Sequence, residues 1–369
     1  MTIEELLNYR KSILEDSKDE DGFIQQQPLL SQALPLMLDA KLVDSEDYNE
    51  SYYKHEADNL KINAYVVNES GERLQLFMVN ESSINEVASD EELQISSRLD
   101  YESQFKRVTR FITKAVKGQL NDEIQDSDPV KAIVSKITSA EGIEQFDVIE
   151  IFLISLTATV SFKGAVPQPR RIHFVEERQS ITYKLDGHKS SKEYLISKRL
   201  IDLNFLFNVL VSRGCREPLS VNFDKTFGYN LEVINAARES NFESYLCVMK
   251  ADVLADLYKH YSSRLLEKNV RSFLQFKGAN KGIRDTIRNE PEKFIAYNNG
   301  LTITAVDARI IQSKKKMYIE SLKDFQIVNG GQTTATIYFS MKDGLDISKV
   351  RVMAKINVAK ETSEEKLEE

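Results

Sequence analysis

Apolar positions Ile3, Leu6, Leu7 and Ile13 recur at the spacing of an amphipathic helix over residues 2–16, and the acidic run Asp16–Asp21 ends it. A second helical pattern covers Phe23–Val43, where Pro28 and Pro35 predict a kink or a division. Leu60–Val67 and Arg73–Val79 are β-rich runs separated by the polar, glycine-containing stretch Asn68–Glu72, so they predict a hairpin. Residues 89–118 read as one long helix ending at Gly118. Residues 129–139 read as another, opened by Asp128-Pro129 as cap and first helical position. Val148–Val160 predicts a strand, and Gly164, Pro167 and Pro169 a loop. Arg171–Val175 and Ser180–Lys184 predict two more strands, and Ser197–Ser212 a helix.

The texture changes after Pro218. Leu219–Phe223 and Tyr245–Met249 predict strands, and Lys250–Tyr261, Arg264–Phe276 and Lys281–Glu290 predict helices, the last closed by Pro291. Phe294–Ile311, Met317–Val328 and Val350–Val358 predict strands, with a short helix Gln332–Met341 between the last two. The expected fold class is α/β (α+β) in two domains. Residues 1–215 form a small mixed sheet flanked by helices, and residues 216–369 form a second mixed α/β domain.

Composition narrows the class. Of 369 residues, 41% are apolar and 29% charged, which fits a folded globular chain rather than a disordered one. Two cysteines, Cys215 and Cys247, exclude a disulfide framework and a multi-cysteine zinc module. The acidic N-terminus has no apolar signal region, and no run of about 18 apolar residues occurs, so no membrane partner and a cytoplasmic location are expected. The net charge of −8 argues against a broadly basic polyanion binder, but it is unevenly spread. Residues 1–60 hold 14 acids and 5 Lys or Arg, whereas residues 268–288 hold six basic residues and one acid.

Three places offer chemistry. A nuclease of the PD-(D/E)xK type needs an Asp on one hairpin strand and an acidic-x-Lys pair on the next, so that carboxylates hold Mg²⁺ while Lys orients water. Here Asn63 stands at the ligand position, Met78 and Asn80 stand where the pair belongs, and the preceding helix offers Gln25–Gln27. An amide oxygen carries no formal charge, so the expectation is a structural hairpin with no catalytic residue, no metal and no cofactor. The enzyme alternative is a nuclease with a non-standard site built on Asp58, Glu69 or Glu72, and only then is Mg²⁺ required.

The second place is the basic stretch. Lys281, Arg284 and Arg288 share a helical face, with Lys277 and Arg271 ahead of them, an arrangement suited to phosphate. The third is a pair of polar turns, Asn298-Asn299-Gly300 before a strand and Asn329-Gly330-Gly331-Gln332-Thr333-Thr334 between a strand and a helix. The second turn presents backbone N–H groups and polar side chains at a helix start. His55, His173, His188 and His260 show no metal-ligand spacing, and no P-loop, G-x-S-x-G or H-E-x-x-H occurs.

The stretches VRSFLQFKGANKGIRDTIRNEPEKFIAYNNGLTITA (270–305) and FQIVNGGQTTATI (325–337), with Tyr245–Val248 and Leu265–Glu267, resemble the AIPR family of bacterial abortive infection phage resistance proteins. The resemblance covers about residues 225–358. It implies a phage-defence or restriction-associated role around nucleic acid, with nucleic acid or a nucleotide and other defence-system proteins as expected partners. It also implies a restriction-endonuclease-like N-terminal region, from which this chain departs at Asn63, Met78 and Asn80. Members continue beyond the Val350–Val358 strand, so the resemblance implies that this chain stops within its family's C-terminal region. The expected function is binding of nucleic acid or a phosphorylated ligand by the C-terminal domain. A protein-interaction module, docking through the acidic N-terminal helix, is the third alternative.

Overall fold

The structure is a computed structural model that describes residues 2–84, 92–163, 166–185, 187–212, 218–266, 277–313 and 315–359. The chain divides into two compact units, Met1–Arg216 and Glu217–Glu369, and each is a mixed α/β structure.

In the first unit the order is α1 (Ile3–Asp16), α2 (Gln26–Asp39), β1 (Asn49–His55), β2 (Leu60–Val67), β3 (Arg73–Val79), α3 (Arg98–Val116), α4 (Lys131–Thr138), α5 (Ala140–Gln145) and β4 (Val148–Ile154). Then follow β5 (Val160–Lys163), β6 (Val166–Pro169), β7 (Glu177–Leu185), β8 (His188–Ile201) and α6 (Leu203–Val211). Six strands form one sheet in the order β1-β2-β3-β4-β8-β7. The β1–β2–β3 meander is antiparallel, β4 lies parallel to both β3 and β8, and β7 closes the edge antiparallel to β8. Both faces are covered. Tyr101, Phe105 and Phe111 of α3, with residues of α4 and α5, pack on Leu74, Leu76, Met78, Ile151 and Ile196. Leu6, Leu29, Leu34 and Phe205 of α1, α2 and α6 pack on Phe77, Val79, Phe152 and Ile154. This two-sided burial leaves every position of β3 and β4 buried and most of them apolar.

The second unit contains β9 (Val221–Asn222), α7 (Phe223–Phe227), β10 (Leu231–Arg238), β11 (Phe242–Lys250), α8 (Ala251–Tyr261), β12 (Leu301–Ala305), β13 (Asp307–Ser313), β14 (Lys316–Lys323), β15 (Gln326–Asn329) and β16 (Arg351–Ala359). The main helices besides α8 are Lys277–Asn289 and Gly331–Lys342. The sheet order is β13-β14-β10-β11-β16-β12-β15, with β9 beside β14 and β12 parallel to β16. Alternating burial along β12 and β16 marks a sheet with one packed face and one open face.

Several expected elements change. Ser197–Ser212 is not one helix: β8 continues to Ile201, paired with β4, and α6 starts only after Asp202, whose Oδ1 accepts the Phe205 N–H at 2.9 Å. An apolar run of this length does not separate strand from helix by period alone. The strand expected over Val148–Val160 stops at Ile154: the chain bends at Leu156, Ala158 bridges Ile95, and Val160 opens β5. Pro167 and Pro169 lie in the β5–β6 hairpin rather than a loop, and Arg171–Val175 forms no strand. The helix of residues 129–139 has Val130 at its cap, since Asp128 instead accepts from the Gln125 N–H. Phe294–Ile311 breaks into a helical turn, β12 and β13. The expected helix Arg264–Phe276 opens with a 3-10 turn, Ser262–Leu265, and most of it lies outside the described residues. Among the described residues no helix is long and apolar enough to cross a membrane.

Candidate functional site

The two polar turns meet at the start of the helix Gly331–Lys342. β15 pairs with β12 through Thr302 and Asn329, which sets the turns side by side. Asn298 Oδ1 accepts the Gly300 N–H at 3.0 Å, and Asn298 Nδ2 donates to Thr333 Oγ1 at 3.2 Å. Two glycines let the backbones close. Gly330 has φ +89°, and a Cβ there would lie 2.3 Å from Leu301 Cδ2 and 2.9 Å from the Gly300 carbonyl oxygen. Gly300 has φ +78°, and its Cβ would lie 2.5 Å from the Met353 carbonyl oxygen. Thr334 Oγ1 donates back to the Gly330 carbonyl at 3.2 Å.

Thr333 and Thr334 are buried and act within this junction. Gln332 is half-buried, and Asn299 and Asn329 are exposed. The leading amides of a helix lack intrahelical acceptors and carry partial positive charge. What the junction offers solvent is therefore amide side chains beside a positive helix end.

One of the expected cations is drawn to the other end of that helix. Arg284 forms an ion pair with Asp343, which caps the opposite end of the same helix. Twelve residues at about 1.5 Å each put that end roughly 18 Å from Gly331. Arg288 lies 3.8 Å from Asp285 on its own helix. Lys281 is exposed and has no ion-pair partner among the described residues. Lys277 opens its helix, but its side chain, like the whole of Arg271, lies outside the described residues. The acid that claims Arg284 lies 59 residues away in sequence.

The hairpin end of the first unit holds a second polar cluster. The β2–β3 ladder runs from Val67–Leu74 to Ala64–Phe77. Beyond it, side chains of β2 take over: Asn63 Oδ1 accepts the Val79 N–H at 2.8 Å and Lys61 Nζ donates to the Val79 carbonyl at 2.7 Å. Gln26 Oε1 accepts from both Lys61 Nζ and Asn63 Nδ2, each at 2.8 Å. Glu81 Oε1 lies 3.1 Å from Lys61 Nζ and accepts from Gln26 Nε2 at 3.0 Å, and Glu81 Oε2 lies 2.8 Å from Lys54. A cleft of about 370 Å³, lined by Gln25, Gln26, Tyr48, Glu50, Tyr52 and Asn63, opens beside it.

Burial pushes the Lys61 ammonium down to about 8 against the pull of Glu81. Burial alone would raise the Glu81 carboxyl, but Lys54, Lys61 and Gln26 hold it at about 2. Both groups are charged at neutral pH. Asn63 and Gln26 do come together, as the hairpin reading placed them, but their amides are committed to Lys61 and to the backbone.

The residues expected in place of the acidic-x-Lys pair lie elsewhere. Met78 is buried in the α3-side core, and the buried Asn80 Nδ2 donates to Ser155 Oγ at 3.1 Å. The alternative acids do not meet. Asp58, at the β1–β2 turn, is held by Lys114 and lies 3.2 Å from His55 Nδ1. Glu69 and Glu72 sit at the far end of β2, roughly 25 Å away at about 3.3 Å per residue. Among the described residues no group of three His, Cys, Asp or Glu is placed to hold a metal ion. Residue patterning pointed to neither Lys61 nor Glu81. A single lysine inside the buried run LKINAYVV was the available signal.

Fold and clusters together define a two-unit α/β protein whose described polar clusters are rich in amide side chains. Two family models match it: the abortive infection phage resistance protein N-terminal domain over residues 36–175, and the AIPR protein model over residues 266–369. The chain belongs to the AIPR family, which assigns it to abortive-infection phage resistance. No curated protein and no solved structure matches it.

Proposed function

We propose that this chain serves phage resistance in the cytoplasm by binding nucleic acid or a phosphorylated ligand through its C-terminal unit, and that the hairpin end of the N-terminal unit is structural. The junction carries the reading. Two glycines and the Asn298–Thr333 hydrogen bond bring the helix start of Gly331–Lys342 beside Asn299, Asn329 and Gln332. Phosphate oxygens and base edges are acceptors and donors that such amides match. Lys281, without an ion-pair partner among the described residues, adds a charge on a neighbouring helix.

Anisotropy titrations of the full chain with labelled DNA and RNA oligonucleotides and a labelled nucleotide, at 50 and 200 mM salt, test this. Binding should fall with salt, and Asn299→Asp with Asn329→Asp should weaken it about tenfold by setting negative charge at the site. Salt-independent binding, or none to any probe, refutes the proposal.

A further inference from the structure

We infer that the N-terminal unit carries a separate nucleotide site, a cleft of about 360 Å³ between α3, residues 174–177 and β8. Nothing in this inference rests on the C-terminal reading. The volume lies in the range of small-molecule sites, and the lining divides into a flat surface and a charged one.

The flat surface is Arg98. Its guanidinium lies 4.9 Å from the Phe174 ring centroid, its Nε donates to Glu102 Oε1 at 2.8 Å, and its Nη1 donates to the His173 carbonyl at 3.2 Å. Three partners hold the plane, yet the side chain stays 49% exposed, which leaves area for another ring. Bases stack on guanidinium planes as they do on aromatic rings. Val175, 76% exposed at the same cleft, is an apolar rim that a base or ribose would cover.

The charged surface is Lys106 and Arg110, one helical turn apart on the stripe that runs through Arg98 and Glu102. Both are exposed, and neither has an ion-pair partner among the described residues. Like charges at this spacing weaken a helix, and Glu102, the acid on the same stripe, is bonded to Arg98. The two lining acids are already claimed, Glu102 by Arg98 and Glu177 by Lys198 at 2.8 Å. The cleft therefore offers two unclaimed cations, with the Thr109 hydroxyl between them as a further polar group.

Lys106 stands eight residues from Arg98, about 12 Å along the axis. That separation is of the order of an extended nucleoside di- or triphosphate, so the assigned pose sets the base on Arg98 and the phosphates on Lys106 and Arg110. Its partners are nucleotide phosphates, free or within a strand.

The test titrates the full chain with ribose-labelled fluorescent ATP and, in a second arm, a labelled 12-nucleotide single-stranded DNA. The proteins are wild type, Lys106→Glu/Arg110→Glu, Lys106→Ala/Arg110→Ala and Lys281→Glu. At least a tenfold weaker ATP-probe affinity in both double variants, with melting temperatures unchanged, is expected for a free nucleotide. The same loss confined to the DNA arm assigns the site to a strand. Double variants that bind as wild type, or a wild-type chain that binds neither probe, overturn the inference. Loss in Lys281→Glu alone overturns it too, while leaving the C-terminal proposal standing.

Discussion

Lys61 is fully buried, yet three oxygens hold its ammonium: Gln26 Oε1, the Val79 carbonyl and Glu81 Oε1. Lys61→Met removes all three bonds and leaves the Gln26 and Val79 oxygens without that donor, while Glu81 keeps Lys54. Leaving buried acceptors without a donor costs about 1–3 kcal/mol, readable as a lower urea midpoint at unchanged slope. Glu81 adds a pH dependence. Its folded pKa of about 2 lies below its ordinary 4.5, so its contribution is complete above pH 4.5 and is lost as pH falls through about 2. In Glu81→Gln the melting temperature should vary less with pH across that window than in wild type; an identical profile would show that the pair is not linked to folding. Gly330 gives a backbone test at the same scale. Gly330→Ala forces a left-handed residue, about 1–2 kcal/mol, before the contact with Leu301 is counted. Thermal melts should show the loss, and ligand affinity should drop with it if the junction binds.

At the scale of elements, α6 shows how a cap and a buried charge compete. Asp202 caps the helix through Phe205, but it is 3% exposed and its Oδ2 has no hydrogen-bond partner among the described residues. Burial raises its carboxyl to about 7 against the backbone bonds and Arg171 that lower it. The folded state thus binds more protons than the unfolded one between about pH 4 and 7, so this group costs stability as pH rises through that range. Asp202→Asn keeps a good cap and should be more stable than wild type at pH 8 but not at pH 4, by denaturant melts at both.

Neighbouring elements differ in how legible they were. α1, with its Thr2–Glu5 capping box, and the β2–β3 hairpin follow from local patterning. β8 did not, because Leu195, Ile196 and Ile201 are apolar in either state, and pairing with β4 selects the strand.

At the scale of the molecule, each unit has its own core, two sheet faces in the first and one in the second. Residues 1–212 expressed alone should therefore melt cooperatively and resist limited proteolysis; a non-cooperative melt would show that the second unit is needed for folding. The family, the α/β class, the hairpin and both glycine turns were legible in the sequence, because each is encoded within a few adjacent residues. Lys61 against Gln26 and Glu81, Arg284 against Asp343, and the cleft joining Arg98 to Lys198 were decided only by tertiary structure. Those partners are 20 to 100 residues apart, and strand register and helix packing, which no local pattern contains, determine which side chains face one another.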